Sequence, residues 1–305
     1  MARADTAYME ITILGAPMDL GADRRGVDMG PSAIRYAGLD EKLRALGHKV
    51  HDAGNVHVPV AETRSAGNPR LKYLDQIVAC AGELAARTRA AVAAGSVPIV
   101  LGGDHSIALG SISGVANALG TIGVIWLDAH ADFNTVETSP SGNIHGMILA
   151  SLAGYGEPVL VNAGGPGPHV APGRIVIVGA RDLDAGERDL LRQAGVHVRS
   201  MSEIDRRGIH EVTREAIALA SDGANGLHVS FDMDVVDPTE APGVGTPVPG
   251  GITYREAHLA MELVAESGRL VAMDLVEVNP ILDRENRTAN LATELALSAL
   301  GKRIY

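Results

Sequence analysis

A single cysteine, Cys80, stands among the 305 residues of the chain, so no intrachain disulfide can form. Cys80 falls in a helical stretch marked by Tyr73, Ile77 and Leu84, where a lone thiol reads as small, buried and inert filler. No apolar run approaches the ~20 residues of a membrane span, and Met1 to Thr6 lacks the apolar core of a signal peptide. No helical membrane span is expected, and a cytoplasmic location is. Basic residues are in the minority: 26 Lys and Arg face 37 Asp and Glu, for a net charge of −11. That balance argues against nucleic-acid binding, which favours a basic face, whereas a cationic small substrate suits it. Internal repeats, low-complexity tracts and coiled-coil heptads are absent as well.

What the chain does contain is hydrophobic sequence, 46% of it, arranged as short apolar runs separated by stretches of helical periodicity. Strands are predicted at 10–15, 48–52, 97–101, 122–126, 174–179, 196–199, 226–231 and 270–276. Helices are predicted from Pro31 to Leu46, Arg70 to Ala94, after Ser106 to Leu119, from His145, around 202–206 and 209–221, from Tyr254 to Glu266 behind a Thr253/Glu256 capping box, and from Ala289 to Leu300. Eight strands alternating with helices predict a mostly parallel sheet covered on both faces. Ligands then gather at the carboxyl ends of the strands. Chemistry-bearing residues come from both halves of the chain, so residues 1–305 are expected to form one domain.

Three strand ends carry those residues. The run Ile122 to Trp126 leads into Leu127-Asp128-Ala129-His130-Ala131-Asp132-Phe133-Asn134, and side chains two apart in extended backbone point to one face. Strand 226–231 ends in Asp232-Met233-Asp234, and strand 97–101 in Gly102-Gly103-Asp104-His105-Ser106. Each fragment alone would pass as a polar cap on a loop. Together they bring two histidines and four carboxylates to one edge, and four negative charges balance two divalent cations. Such a pair of ions, roughly 3.5–4 Å apart, lowers the pKa of a bridging water from about 15.7 to about 7. Elsewhere, Arg24 and Arg25 beside a Gly-rich turn read as structural ion-pair formers. Asp184 reads as an acceptor for an ammonium group, or else Asp182 or Asp184 caps the following helix.

The motifs Gly102 to Ser106, Asp128 to Asp132 and Ser230 to Pro238, with Gly15-Ala16-Pro17-Met18 and Val276-Glu277-Val278-Asn279-Pro280 near the two ends, resemble the ureohydrolase superfamily, and within it the bacterial arginases. The resemblance implies a three-layer α/β/α sandwich with an eight-stranded sheet and two Mn²⁺ per subunit. It assigns His105, Asp128, Asp132 and Asp232 to one ion and His130, Asp128, Asp232 and Asp234 to the other. It further implies hydrolysis of L-arginine to L-ornithine and urea by a metal-bridging hydroxide, with Asp132 passing a proton to the leaving amine, His145 shuttling protons and Glu277 pairing with the guanidinium.

The same resemblance places Asn134, Ser141 and Asn143, with Ser139 nearby, at the substrate carboxylate. It places Asp184 and Glu187 at the α-ammonium and Thr246 in the same pocket. Ser139 departs from the threonine common in the family. A homo-oligomer, hexamer or trimer, is implied, and the alternative activity is an amidinohydrolase for another guanidino compound such as agmatine or guanidinobutyrate.

Overall fold

The computed structural model describes residues 8–303. Its eight strands are β1 (Glu10–Ala16), β2 (Lys49–Asn55), β3 (Val97–Gly102), β4 (Gly123–Leu127), β5 (Ile175–Ala180), β6 (His197–Ser200), β7 (Leu227–Asp232) and β8 (Leu270–Val276). They form one sheet in the order β2-β1-β3-β8-β7-β4-β5-β6, and every pairing is parallel. The helices are α1 (Gly30–Tyr36), α2 (Leu39–Ala45), α3 (Leu74–Ala93), α4 (Ala108–Leu119), α5 (Ile148–Leu152), α6 (Pro158–Val161), α7 (Ala185–Ala194), α8 (Met201–Arg207), α9 (Ile209–Ser221), α10 (Tyr254–Ser267) and α11 (Arg287–Ala299). None is long and apolar enough to cross a membrane among the described residues.

Strand alternation divides the core in two. Ile99, Leu101, Ile125, Leu127, Val176 and Val178 face α1, α2 and α8 to α11, while Val100, Val124, Trp126, Ile175 and Ile177 face α3 to α7. The central strands are apolar on both faces because both are covered, which makes three layers, α/β/α.

Topology then positions the site. The chain runs outward from β1 to the edge strand β2, returns to β3 on the inner side of β1, crosses to β4, β5 and β6, and comes back with β7 and β8 to fill the gap between β3 and β4. The four strands ending in His105, Glu277, Asp232 and Asp128 are therefore neighbours, β3-β8-β7-β4, at the middle of the sheet.

Some element boundaries differ from the sequence expectation for local reasons. The helix predicted from Pro31 to Leu46 is two, α1 and α2, because Gly38 adopts φ +82° between them. The helix predicted from Arg70 starts at Leu74, behind Tyr73 in the left-handed region at φ 55°. His145 sits in a 3-10 turn, Ile144–Met147, that precedes α5. The Thr253/Glu256 capping box is formed, and Arg25 pairs with Asp19 at 2.7 Å and Glu62 at 2.8 Å, as structural ion pairs. Cys80 is buried, and burial pushes its thiol up to about 12.

Candidate metal centre and substrate cavity

The approach of backbone segments fixes the first ligand. A Cβ on Gly103 would stand 1.7 Å from the Met18 carbonyl oxygen, so only glycine lets the chain leave β3 beneath the end of β1. His105 follows in a 3-10 turn capped by Asp104, whose carboxylate accepts from Ser106 N–H at 3.0 Å and Gly21 N–H at 2.7 Å. The imidazole stacks on Trp126, with centroids 3.8 Å apart and planes 6° from parallel. Its Nε2 lies 2.8 Å from Ser230 Oγ, and Ser230 in turn donates to Asp274 at 3.2 Å. With Nε2 as donor, Nδ1 carries the lone pair.

That lone pair points at carboxylates. His105 Nδ1 lies 3.2 Å from Asp128 Oδ2, 3.2 Å from Asp132 Oδ2 and 3.3 Å from Asp232 Oδ2, yet it is buried without a properly oriented hydrogen bond. A second group forms alongside, His130 Nδ1 being 3.4 Å from Asp128 Oδ1 and 3.0 Å from Asp234 Oδ2. Asp128 is shared, one oxygen facing each histidine. Trp126 Nε1 donates to its Oδ2 at 2.9 Å and His130 N–H to its Oδ1 at 2.7 Å. Asp232 joins the first group through Oδ2, while its Oδ1 accepts from Asp234 N–H at 2.8 Å.

Buried carboxylates this close repel one another. Burial first, then Asp234 and Asp128, push the Asp232 carboxyl well above its usual range, and burial with Asp128 likewise raises Asp132 and Asp234. Imidazole lone pairs and carboxylate oxygens converging on two points, with an orphaned buried nitrogen among them, fit divalent cations. The donor set, rich in oxygen, is that of a hard or borderline ion.

Above the cluster opens a narrow cavity of about 170 Å³, smaller than the roughly 300–1,000 Å³ of drug-sized ligand pockets. Its lining includes His130, Asp132, Asn134, Ser139, Ser141, Asn143, His145, Asp184, Glu187, Asp232 and Thr246. Ser139 Oγ accepts from Gly142 N–H at 3.0 Å and Ser141 Oγ from Asn143 N–H at 3.2 Å, which leaves both hydroxyl protons available to an anion. Asn134 Nδ2 donates to Asp184 Oδ2 at 3.0 Å, so this amide binds its neighbour, and its Oδ1 is buried without a partner.

Asp184 caps α7, and Glu187 completes the box by accepting from Asp184 N–H at 3.3 Å. The other Glu187 oxygen accepts from Phe133 N–H at 2.8 Å, and burial raises its carboxyl to about 8. Asp184 thus stands at a helix cap, and its side chain also lines the cavity wall. Thr246 Oγ1 donates to Asp234 Oδ2 at 3.0 Å. Glu277 stands behind His145: its Oε1 lies 3.2 Å from His145 Nδ1 and accepts from His105 N–H at 2.9 Å. Although burial opposes it, that carboxylate raises His145 to about 9.

Sequence reasoning had not singled out the supporting residues. Trp126 and Asp274 carried no separate signal. Ser230 did: His228, Ser230 and Asp232 place three polar side chains on one face of an otherwise apolar strand. Asp132 and Glu277 adopt positive φ, 50° and 63°, a conformation unusual outside glycine and found where a site constrains the chain.

A parallel α/β/α sandwich with a paired His/Asp cluster at the carboxyl edge of its central strands defines an α/β protein with a candidate two-cation site. The family model of the arginase family matches residues 9–301. Arginases from Bacillus caldovelox and Brevibacillus brevis are 49% and 52% identical to the chain, each over 96% of it and 99% and 98% of their own lengths. The solved structure of Bacillus caldovelox arginase superposes with a TM-score of 0.95 at 48% identity, covering 97% of this chain and 100% of that one. The chain belongs to the arginase family.

Proposed function

We propose that the chain, acting as a single domain, hydrolyses L-arginine to L-ornithine and urea with two Mn²⁺ held by His105, Asp128, Asp132 and Asp232 and by His130, Asp128, Asp232 and Asp234. The observation that carries the proposal is the sharing of Asp128 between two His/Asp groups at the floor of a cavity too narrow for a bulky substrate. When bound, the ions supply a nucleophilic water of lowered pKa at neutral pH.

The chain's own residues do the rest. Glu277, whose Oε2 is not engaged by His105 or His145, faces the guanidinium with a negative charge. Asp132, at the cavity floor, takes up the proton that the attacking water gives up and passes it to the leaving nitrogen. His145, held close by Glu277, carries protons between the cavity and solvent.

The hydroxyls of Ser139 and Ser141 and the amides of Asn134 and Asn143 bind the α-carboxylate, and Asp184 with Glu187 binds the α-ammonium. Thr246 steadies Asp234 and closes the wall. Buried polar groups left unpaired by agmatine oppose its binding, by on the order of 10⁴-fold where pairing is good. Assembly of copies into a homo-oligomer, trimer or hexamer, is part of the same proposal, by analogy with the family.

Urea release from the Mn²⁺-loaded protein, with L-arginine and agmatine compared, tests the proposal. Strong preference for arginine supports it. Preference for agmatine or guanidinobutyrate keeps the metal chemistry and overturns the assignment of the carboxylate and ammonium contacts.

A further inference from the structure

Lys72 stands outside every role assigned so far, yet it reaches the cavity wall. It lies just before α3, and its ammonium donates to Asp23 Oδ1 at 2.7 Å and to Asn143 Oδ1 at 2.9 Å. Asn143 lines the cavity, so a full positive charge sits one side chain behind the wall, at the end where Ser139 and Ser141 also lie. Three quarters of Lys72 is covered, which limits screening by solvent. Asp23 is held below the usual carboxylate range by Lys72, with the Asn143 amide and the His145 charge lowering it further, which locates it at the same mouth.

The two segments are built to stay together. Gly142 adopts φ +72°, and a Cβ there would stand 2.1 Å from the Pro69 carbonyl oxygen, so the 139–143 loop lies directly against residues 69–72. Lys72 N–H donates to Gly142 O at 3.4 Å, and the Arg70 guanidinium reaches the Val136 carbonyl. An ammonium carries only donors, so it takes the oxygen of the Asn143 amide and polarises it.

We propose that Lys72, tempered by Asp23, is a specificity-determining residue that selects guanidino substrates bearing a carboxylate at the end remote from the guanidinium. This rests on the orientation of substrate given under Proposed function. The cation attracts an incoming carboxylate across the Asn143 amide, and Asp23 weakens that attraction by partial neutralisation. A purely structural clamp between the two loops predicts something different. Losing either partner then loosens the same contact, and both losses act in one direction on every substrate.

The experiment uses the full Mn²⁺-loaded chain with Lys72→Met and Asp23→Asn. Steady-state kinetics are measured with L-arginine and agmatine, and calorimetric binding with L-ornithine and putrescine, which differ by a carboxylate. Lys72→Met is expected to raise KM for arginine roughly three- to tenfold with kcat within about twofold, and to weaken ornithine equally, while agmatine and putrescine are unaffected or improved. Asp23→Asn is expected to lower KM for arginine by about twofold. Shifts of both variants in the same direction on all four ligands, or no shift, overturn the proposal. A wild-type chain that releases no urea from arginine yet binds ornithine over putrescine through Lys72 overturns only the activity. One that does neither overturns both.

Discussion

His105 Nε2, in the turn after β3, and Ser230 Oγ, on β7, meet at 2.8 Å, and this contact decides which nitrogen of the imidazole faces the carboxylate cluster. Asp274, fully buried, accepts from Ser111 at 2.8 Å and from Ser230 at 3.2 Å, with His228 Nε2 at 2.9 Å, and so holds the serine in place. Ser230→Ala removes the acceptor for Nε2–H without changing the donor set. Affinity for the cation at the His105 group is expected to fall about 10- to 100-fold, as for other supports of metal-ligating histidines. Metal titration followed by equilibrium dialysis reads this directly, and an unchanged dissociation constant would remove Ser230 from the site.

The His145–Glu277 pair makes a prediction about pH. His145 is raised from its ordinary 6.5 to about 9, with Glu277 outweighing burial. Below the unfolded value of about 6.5 both folded and unfolded chains carry the proton, and the stabilising contribution of the pair is fully present. It is lost as pH rises through about 9. In chelator-treated protein, the stability difference between wild type and His145→Asn should therefore be largest near pH 6 and shrink by pH 10. In the metal-loaded protein the same variant is expected to keep both ions and to lose about 10²-fold in turnover, consistent with a proton-transfer role. Full turnover would exclude His145 from the chemistry.

Asp128 is the residue on which both groups depend. Removing its carboxylate takes one oxygen from each group and leaves Trp126 Nε1–H without its acceptor. Asp128→Ala is expected to abolish stoichiometric metal binding at both positions and to lower urea release by at least roughly 10³-fold, the range in which a lost metal-activated nucleophile falls. Asp234→Ala touches only the His130 group among the described contacts and should retain cation at the His105 group. Metal analysis of the two purified variants separates these outcomes. Equal loss in both would show that the groups bind cooperatively rather than as two neighbouring sites.

Much of this was legible in the sequence because it depends on periodicity and spacing. Asp128, His130 and Asp132 alternate at a strand end, and the eight apolar runs that became strands are short enough to exclude long helices. Supports drawn from elsewhere in the chain were not legible. Ser230 and Asp274 meet only because β7 and β8 are neighbours, a pairing that strand order decides and local pattern does not. The break at Gly38 needed a backbone angle rather than a propensity. Lys72 reaches Asn143 across 71 residues of sequence, and nothing about a lysine before a helix announces that contact. Asp184 is the intermediate case: the two roles open to it could be named from its position, but its bond to Asn134 could not.

The place of Asp184, at a helix cap and at the cavity wall, gives the last prediction. Its carboxylate caps α7 and accepts from Asn134 Nδ2, while its backbone N–H is held by Glu187. Asp184→Ala removes the cap, which costs about 1 kcal/mol and lowers Tm by a few degrees. It also frees the Asn134 amide and removes the negative charge proposed for the substrate ammonium. KM for arginine is expected to rise by about tenfold with kcat changed less, and the preference for arginine over agmatine to narrow. Asp184→Asn separates the two effects, since asparagine caps a helix as well as aspartate does but carries no charge. If the asparagine variant restores Tm and the specificity ratio together, Asp184 is a cap alone. If it restores Tm while arginine binding stays weak, the charge acts on the substrate.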